Sequence, residues 1–399
     1  MSRVSQARVS RRGFAGLAVG STLLLAACSG GFSPGELISN FSSTPPAAPG
    51  TTIGAGQVKV GLILPLSASG NAGVAAQSMR NGAEMALAEF NSPNIQLLVK
   101  DDGGSASGAQ QAAQQALAEG AEIILGPLFA QSVTPVGQVA RSRGVPVIAF
   151  STDANVATRG VYLLSFLPES DVERIIAYAA GQGKKAFAAA LPDNAYGTVV
   201  EAAFKQAVAR QSGQIVALER YPLDRGQMQA VARNVAQAAS RADSIFIPDG
   251  ADSVSVVVGV LAANGVDPQR VQLLGSGLWE DPQIFSNAAL GGAWYAAPDS
   301  TGFRNFSARF RGRYNQDPVR TATLAYDAVA LVAALTKTQG PQRFSEEILT
   351  NASGFTGIDG LFRFKQDGTN QRGLAVLKVS PTGGQVISPP PKAFGASGI

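Results

Sequence analysis

The chain contains no histidine and a single cysteine in 399 residues. The first absence removes Ser-His-Asp hydrolysis, imidazole acid–base chemistry and His-ligated zinc or haem. The second removes any intramolecular disulfide, Cys-rich zinc site or CxxC redox pair. Charge is also scarce, at 15% of residues against 45% apolar, a balance that favours a packed core over disorder. The net charge of +4 is local. Arg3, Arg8, Arg11 and Arg12 precede Cys28 with no acid among them, and beyond them acids and bases are equal in number. A neutral body speaks against a nucleic-acid partner. The length suits two domains better than one.

What is present begins with a targeting segment. Residues 1–28 read as a cleaved signal peptide, arginines first and then an apolar run, Phe14 to Ala27, too short to span a bilayer comfortably. Ser10-Arg11-Arg12-Gly13-Phe14 resembles the twin-arginine export signal. Leu25-Ala26-Ala27-Cys28 resembles a bacterial lipobox, with Cys28 as the acylated residue. These resemblances imply an exported protein, lipid-anchored at the periplasmic face of the cell envelope. Ser29 after the cysteine resembles lipoproteins sorted to the outer membrane, should the source be a diderm. Residues 29–56, rich in Ser, Pro, Ala and Gly, read as a flexible tether.

From Val58 strands and helices alternate, the pattern of a doubly wound parallel sheet. The clearest unit is 121–153. Glu122 to Leu125 is a buried strand, Val133, Val136, Val139 and Ala140 share a helical face, and Val145 to Phe150 is a second strand. After Phe166 the architecture restarts, without a detectable sequence repeat, through strands at 186–191, 215–221, 244–248, 271–275 and 293–297. Leu361 to Phe364 and Leu374 to Val379 read as a closing hairpin turned at Asp367-Gly368. Residues 389–399, opening on Pro389-Pro390-Pro391, read as a loose tail. The expected fold is therefore α/β, with two doubly wound parallel-sheet lobes.

Several stretches carry a family resemblance: Lys59 to Ser69, Asn81 to Glu84, Gly126-Pro127, Asp193 to Gly197, Ala325 to Val329, and Gly357 to Gly368. In that order they resemble the type I periplasmic binding proteins, the leucine/isoleucine/valine-binding group, over about Val58 to Val386. The resemblance implies two lobes joined by three crossovers near Phe166, Ala297 and Phe355, with a ligand cleft between them. The first lobe would be 58–166 plus 298–354, the second 167–297 plus 355–388. Binding would close the cleft by a hinge motion.

In open α/β sheets ligands sit beyond the carboxyl ends of the strands. Those loops nominate Ser67, Ser69, Ala130, Gln131, Ser132, Ser151, Thr152 and Asp153 on the first lobe. On the second they nominate Tyr196, Asp249, Gly250 and Trp279. Free backbone N–H groups at helix starts, with serine hydroxyls, suit a carboxylate, and the resemblance gives similar positions the ligand's α-carboxylate. The same residue types are also ordinary caps and turn formers, and Trp279 could be a core aromatic. The resemblance puts Ala130 where amino-acid binders carry a hydroxyl and Gly277 where they carry the acid for the α-ammonium. Glu280, Asp281 or Asp153 are the candidate substitutes.

Three functions compete on these grounds. The first is a solute receptor that delivers a small polar, amino-acid-like ligand to the permease of an ABC importer. The second is a regulatory lipoprotein of the same fold, resembling penicillin-binding-protein activators, whose partner is a peptidoglycan synthase. The third is an enzyme built on Asp101-Asp102, and it lacks any nucleophile paired with a base. Gly275-Ser276-Gly277 lacks the third glycine of a dinucleotide loop. The expectation is a non-catalytic binding protein without cofactor or metal, the receptor reading first.

Overall fold

Val58–Leu64 and Ile95–Asp101 are apolar runs that pair in parallel along their full length, Val58 opposite Ile95 and Leu64 opposite Asp101. Burial of most residues on both faces explains why neither run alternates with polar residues. Strands 123–125, 147–149 and 161–163 extend this first sheet in parallel. The computed structural model describes residues 51–394. The signal segment, Cys28 and most of the expected tether lie outside the described residues.

Helices Gly70–Glu89 and Ala322–Thr338 cover one face of the first sheet through Met79, Ala83, Leu324, Ala328 and Val332. Ala106–Ala118 and Ala130–Arg141 cover the other through Ala109, Ala113, Val133 and Val136. The second lobe repeats the plan. Its parallel strands run in the order 294–297, 272–275, 244–246, 186–192, 214–221. Helices Pro168–Gly181 and Ala195–Arg210 pack on one face, Arg225–Ala238 and Ala251–Ala263 on the other. Both lobes are the expected doubly wound α/β units, with antiparallel strands added at their edges.

Four boundaries differ from expectation. Thr52–Ile53, placed in the tether, pairs antiparallel with Leu97 and Leu98 as an edge strand, so the fold starts before Val58. The closing hairpin divides: Gly360–Phe364 pairs with Asn370–Arg372 in a small three-stranded ribbon, whereas Ala375–Ser380 joins the second sheet beside Trp294–Ala297. A single hairpin fails because Gly373 and Leu374 carry the chain from one sheet to the other. The ribbon, expected with the second lobe, buries Phe362 and Phe364 in the same core as Tyr162 and Val329 of the first. Residues 389–394, the described part of the expected loose tail, have no regular structure, yet Phe394 lies under the Arg363 guanidinium at 4.6 Å.

Three stretches therefore connect the lobes: Leu164 to Leu167, Pro298 and Asp299, and the ribbon's exit at Arg372 to Leu374. Two of them are bonded together. Asn370 Nδ2 donates to the carbonyls of Leu163 and Ser165, each at 2.8 Å, and Arg372 Nε donates to Ser165 at 2.8 Å.

Candidate functional site

Gly126 closes strand 123–125 of the first lobe and is not among the residues that line the cavity between the lobes. Its φ of +95° turns the chain sharply at the end of strand 123–125, and a Cβ there would lie 2.0 Å from the Ile63 carbonyl oxygen. Only glycine fits there. Where the two sets of strand ends face each other lies a cavity of about 270 Å³. The first-lobe side contributes Thr152, Phe303 and Arg320, the crossovers contribute Phe166, Ala297 and Pro298, and the second lobe contributes Asp171, Tyr196, Gly277, Leu278 and Glu280. Its walls are largely apolar, with a few polar groups converging on them, as small-molecule sites tend to be.

Asp171 is the central polar group. It sits in the first turn of the helix that follows the first crossover. Its Oδ2 accepts the Gly277 N–H at 2.8 Å. Burial pushes its carboxyl up to about 7, against the pull of the Gly277 N–H and of Arg372. A Cβ at 277 would stand 3.0 Å from that same oxygen, so the missing side chain at 277 makes room for the acid at 171. Tyr196 lies beside it, its hydroxyl 3.3 Å from Ser276 Oγ, and burial raises its pKa.

Arg320 is the one cation among the cavity's lining residues. Asp359 engages both ends of its fork, Nη1 donating to Oδ2 at 3.0 Å, and Thr323 Oγ1 donates to the same Oδ2 at 2.6 Å. The guanidinium lies 4.7 Å from the ring centre of Phe166 and 4.4 Å from that of Phe303. Such contacts are each worth about 0.5–2 kcal/mol, depending on desolvation. With its charge matched by a buried carboxylate and rings close by, Arg320 has little capacity left for a ligand anion.

The sequence-nominated residues divide sharply. Thr152 and Tyr196 line the cavity; the others do not. Ser151 and Asp153 hold their own turn: Ser151 Oγ accepts from the Asp153 N–H at 3.1 Å, and Asp153 Oδ1 accepts from the Asn155 N–H at 3.0 Å. Gln131 donates to the Gly104 carbonyl at 3.2 Å, and Ser132 is buried with its Oγ 3.4 Å from the Ser105 carbonyl. Ala130 opens the helix that carries them. The Ser67 N–H donates to Asp101 Oδ1 at 3.2 Å, and Ser69 precedes helix Gly70–Glu89 without a side-chain cap bond. Asp249 accepts from the buried Tyr221 hydroxyl at 2.7 Å, and Gly250 caps the next helix.

Trp279 requires a correction. It is fully buried, its ring lies against Gly275, and its Nε1 donates to the Ile247 carbonyl at 3.1 Å. The loop turns so that Leu278 and Glu280 face the cleft while the indole between them faces the core. Of the proposed substitutes for the acid at 277, Glu280 lines the cavity and accepts the Tyr295 hydroxyl at 2.5 Å. Asp281 caps a short helix through the Gln283 N–H at 2.7 Å. Sequence reasoning missed Asp171, although its place just after the first crossover was a usable signal. It also missed Phe303 and Arg320, whose convergence on the cleft is set by tertiary packing.

Two α/β lobes with an apolar cavity and a few converging polar groups between them have the architecture of a small-molecule site. The periplasmic binding protein family model matches residues 57–385, and the chain belongs to that family, a non-catalytic class. A Rhodospirillum rubrum protein provisionally described as a branched-chain amino acid ABC transporter superposes with a TM-score of 0.74 at 20% identity, covering 83% of this chain and 99% of its own. An ABC transporter substrate-binding protein from Sphaerobacter thermophilus gives 0.67 at 21%, covering 84% and 98%. A solute-binding protein from Rhodopseudomonas palustris, solved with 3,4-dihydroxybenzoic acid, gives 0.60 at 20%, covering 85% and 97%. At these identities the likeness is one of fold. Among curated proteins none matches the chain significantly.

Proposed function

We propose that this chain is the solute-binding component of an ABC importer, and that it holds a small amino-acid-like ligand in the interlobe cleft. The observation that carries the ligand class is the carboxylate of Asp171 set among the apolar walls of Phe166, Leu278 and Phe303. An α-ammonium would reach Asp171, and a hydrophobic side chain would lie along the aromatic wall. A charge-assisted hydrogen bond of this kind contributes about 1.5–3 kcal/mol. Thr152, on the first-lobe rim, is the polar group placed to meet the other end of the ligand. The acid that the family resemblance places at 277 is thus supplied from 171.

In this reading the protein is exported, tethered through Cys28, and paired with a membrane permease. The likeness to proteins described as ABC transporter components supports an ABC-transport role, and the leader motifs support export. The alternative, a lipoprotein that stimulates a peptidoglycan synthase, draws on the leader, the tether and the missing acid at 277, and Asp171 beside Gly277 weakens the last of these.

The test is a thermal-shift panel on protein that has been unfolded and refolded to remove carried-over ligand. Leucine, phenylalanine, lysine, benzoate and peptidoglycan fragments form the panel. A ligand at a hundred times its dissociation constant stabilises by about 2.7 kcal/mol, a shift of a few degrees. A shift with the apolar amino acids supports the reading; a shift confined to peptidoglycan fragments overturns it.

A further inference from the structure

Five side chains alternate ring and cation where the lobes are joined. Phe303 stands 4.4 Å from the Arg320 guanidinium, and that group stands 4.7 Å from Phe166. Phe166 is 4.6 Å from the Arg372 guanidinium, which in turn is 5.7 Å from Phe362. The members come from all three connections: Phe166 from the first, Phe303 and Arg320 from just beyond the second, and Phe362 and Arg372 from the ribbon. Three of them, Phe166, Phe303 and Arg320, line the cleft. Arg372 does not.

Arg372 is the unusual member. It is 6% exposed, and its Nε donates to the Ser165 carbonyl. Both ends of its fork, Nη1 and Nη2, are buried without a hydrogen-bond partner. Arg320, by contrast, has both fork ends engaged by Asp359. A buried donor without a partner costs stability, so the guanidinium at 372 is not explained by its hydrogen bonds. Its charge is matched by the carboxylates of Asp359, Asp327 and Asp171 around it. What its two unpartnered fork ends leave to be explained is the choice of a planar cation, which suits its contacts with Phe166 and Phe362.

We propose that Arg372 is a positioning residue for the cleft, holding the Phe166 ring in place as a wall while itself remaining out of the ligand's reach. Its influence on binding passes through Phe166, and through Phe166 to Arg320 and Phe303. The first crossover is thereby fixed to the third at the point where a hinge must bend. This rests on the cleft being the ligand site, and the experiment separates the two ideas.

The test uses the full chain carrying 4-fluorophenylalanine at position 166, read by fluorine NMR without ligand, beside calorimetric titration with L-leucine and L-phenylalanine. The variants are Arg372→Met, which keeps the aliphatic stem and removes the whole guanidinium, its Nε bond to Ser165 included, Arg372→Lys, which keeps the charge but not the plane, and Phe362→Leu. The unsubstituted chain is expected to give one narrow fluorine line. Arg372→Met should broaden or split that line and weaken binding at least tenfold. It should also lower the unfolding midpoint, since the Nε–Ser165 bond goes with the fork, but its loss of affinity should exceed that of Phe362→Leu at an equal drop in midpoint. Arg372→Lys and Phe362→Leu should fall between. A narrow single line in Arg372→Met overturns the proposal, and so does a loss of affinity that tracks a loss of thermal stability across the three variants. If the parent binds neither amino acid, the ligand class fails while the fluorine line still decides the role of Arg372.

Discussion

Asp171 Oδ2 and the Gly277 N–H meet at 2.8 Å between the helix that leaves the first crossover and the loop after strand 272–275. The contact defines the polar centre of the cleft, and a side chain at 277 would crowd it. Gly277→Ala should therefore cost about 1 kcal/mol of stability, the low end for an overpacked contact, because a Cβ 3.0 Å from Asp171 Oδ2 obliges that carboxylate to shift. It should weaken an amino-acid ligand several-fold. Gly277→Glu should weaken it further by filling the space that the Asp171 carboxylate occupies. Calorimetric titration of both variants, with thermal melts alongside, checks this.

Binding of an ammonium ligand should depend on pH through Asp171, whose carboxyl is pushed up to about 7 by burial in the ligand-free protein. The ionised form takes the ligand. Affinity should therefore fall about tenfold for each pH unit below 7, as the carboxylate is lost. Asp171→Asn should be weaker at pH 8 and should show no such slope between pH 5 and 7. Dissociation constants measured at unit pH intervals decide it.

Asp327 gives a stability prediction of its own. It is 3% exposed, accepts the Ile358 N–H at 2.8 Å through Oδ1, and has no partner for Oδ2. Burial, with Asp359 close by, pushes its carboxyl up to about 7. Its folded pKa thus lies above the unfolded value of 3.8, and the folded state binds more protons between them. Stability from this group is present below about pH 4 and is lost as pH rises toward 7. Its share is a few kcal/mol at most, and Asp171 adds in the same direction. Urea midpoints at pH 5, 6, 7 and 8 should decline, and Asp327→Asn should flatten the decline.

Three neighbours in one loop should separate by role. Ser151→Ala and Asp153→Ala each remove a turn contact and should cost about 1 kcal/mol of stability. Thr152→Val, at the cavity, should leave the melt nearly unchanged and weaken ligand binding. Trp279→Ala should instead cost about 3–5 kcal/mol, as expected for a buried aromatic. Melts and titrations on the same preparations distinguish these outcomes.

The architecture was legible in the sequence because buried parallel strands such as Ile123–Leu125 and Val147–Ala149 carry unbroken apolar runs between glycine and proline stops. The ribbon was not, because Leu361–Phe364 and Leu374–Val379 are both good strands, and periodicity does not say which sheet each joins. Of the twelve nominated residues, two line the cavity. Strand-end loops pointed to Thr152 and Tyr196, but a loop residue's direction depends on tertiary packing. The indole of Trp279 turns inward because Gly275 leaves it room. Arg320 and Phe303 reach the cleft from the segment beyond the second crossover, which no local pattern reveals. Asp171 hid in plain view as an ordinary acid in the first turn of a helix.

The most direct test of the central claim is calorimetric titration of the refolded full chain with L-leucine and with 4-methylpentanoate, its analogue without the amine, at pH 7.5. The account expects leucine to bind about a hundredfold more tightly, roughly 2.7 kcal/mol, a difference that Asp171→Asn should erase. Equal binding of the two compounds, or tighter binding of the amine-free acid, would contradict a cleft organised around Asp171.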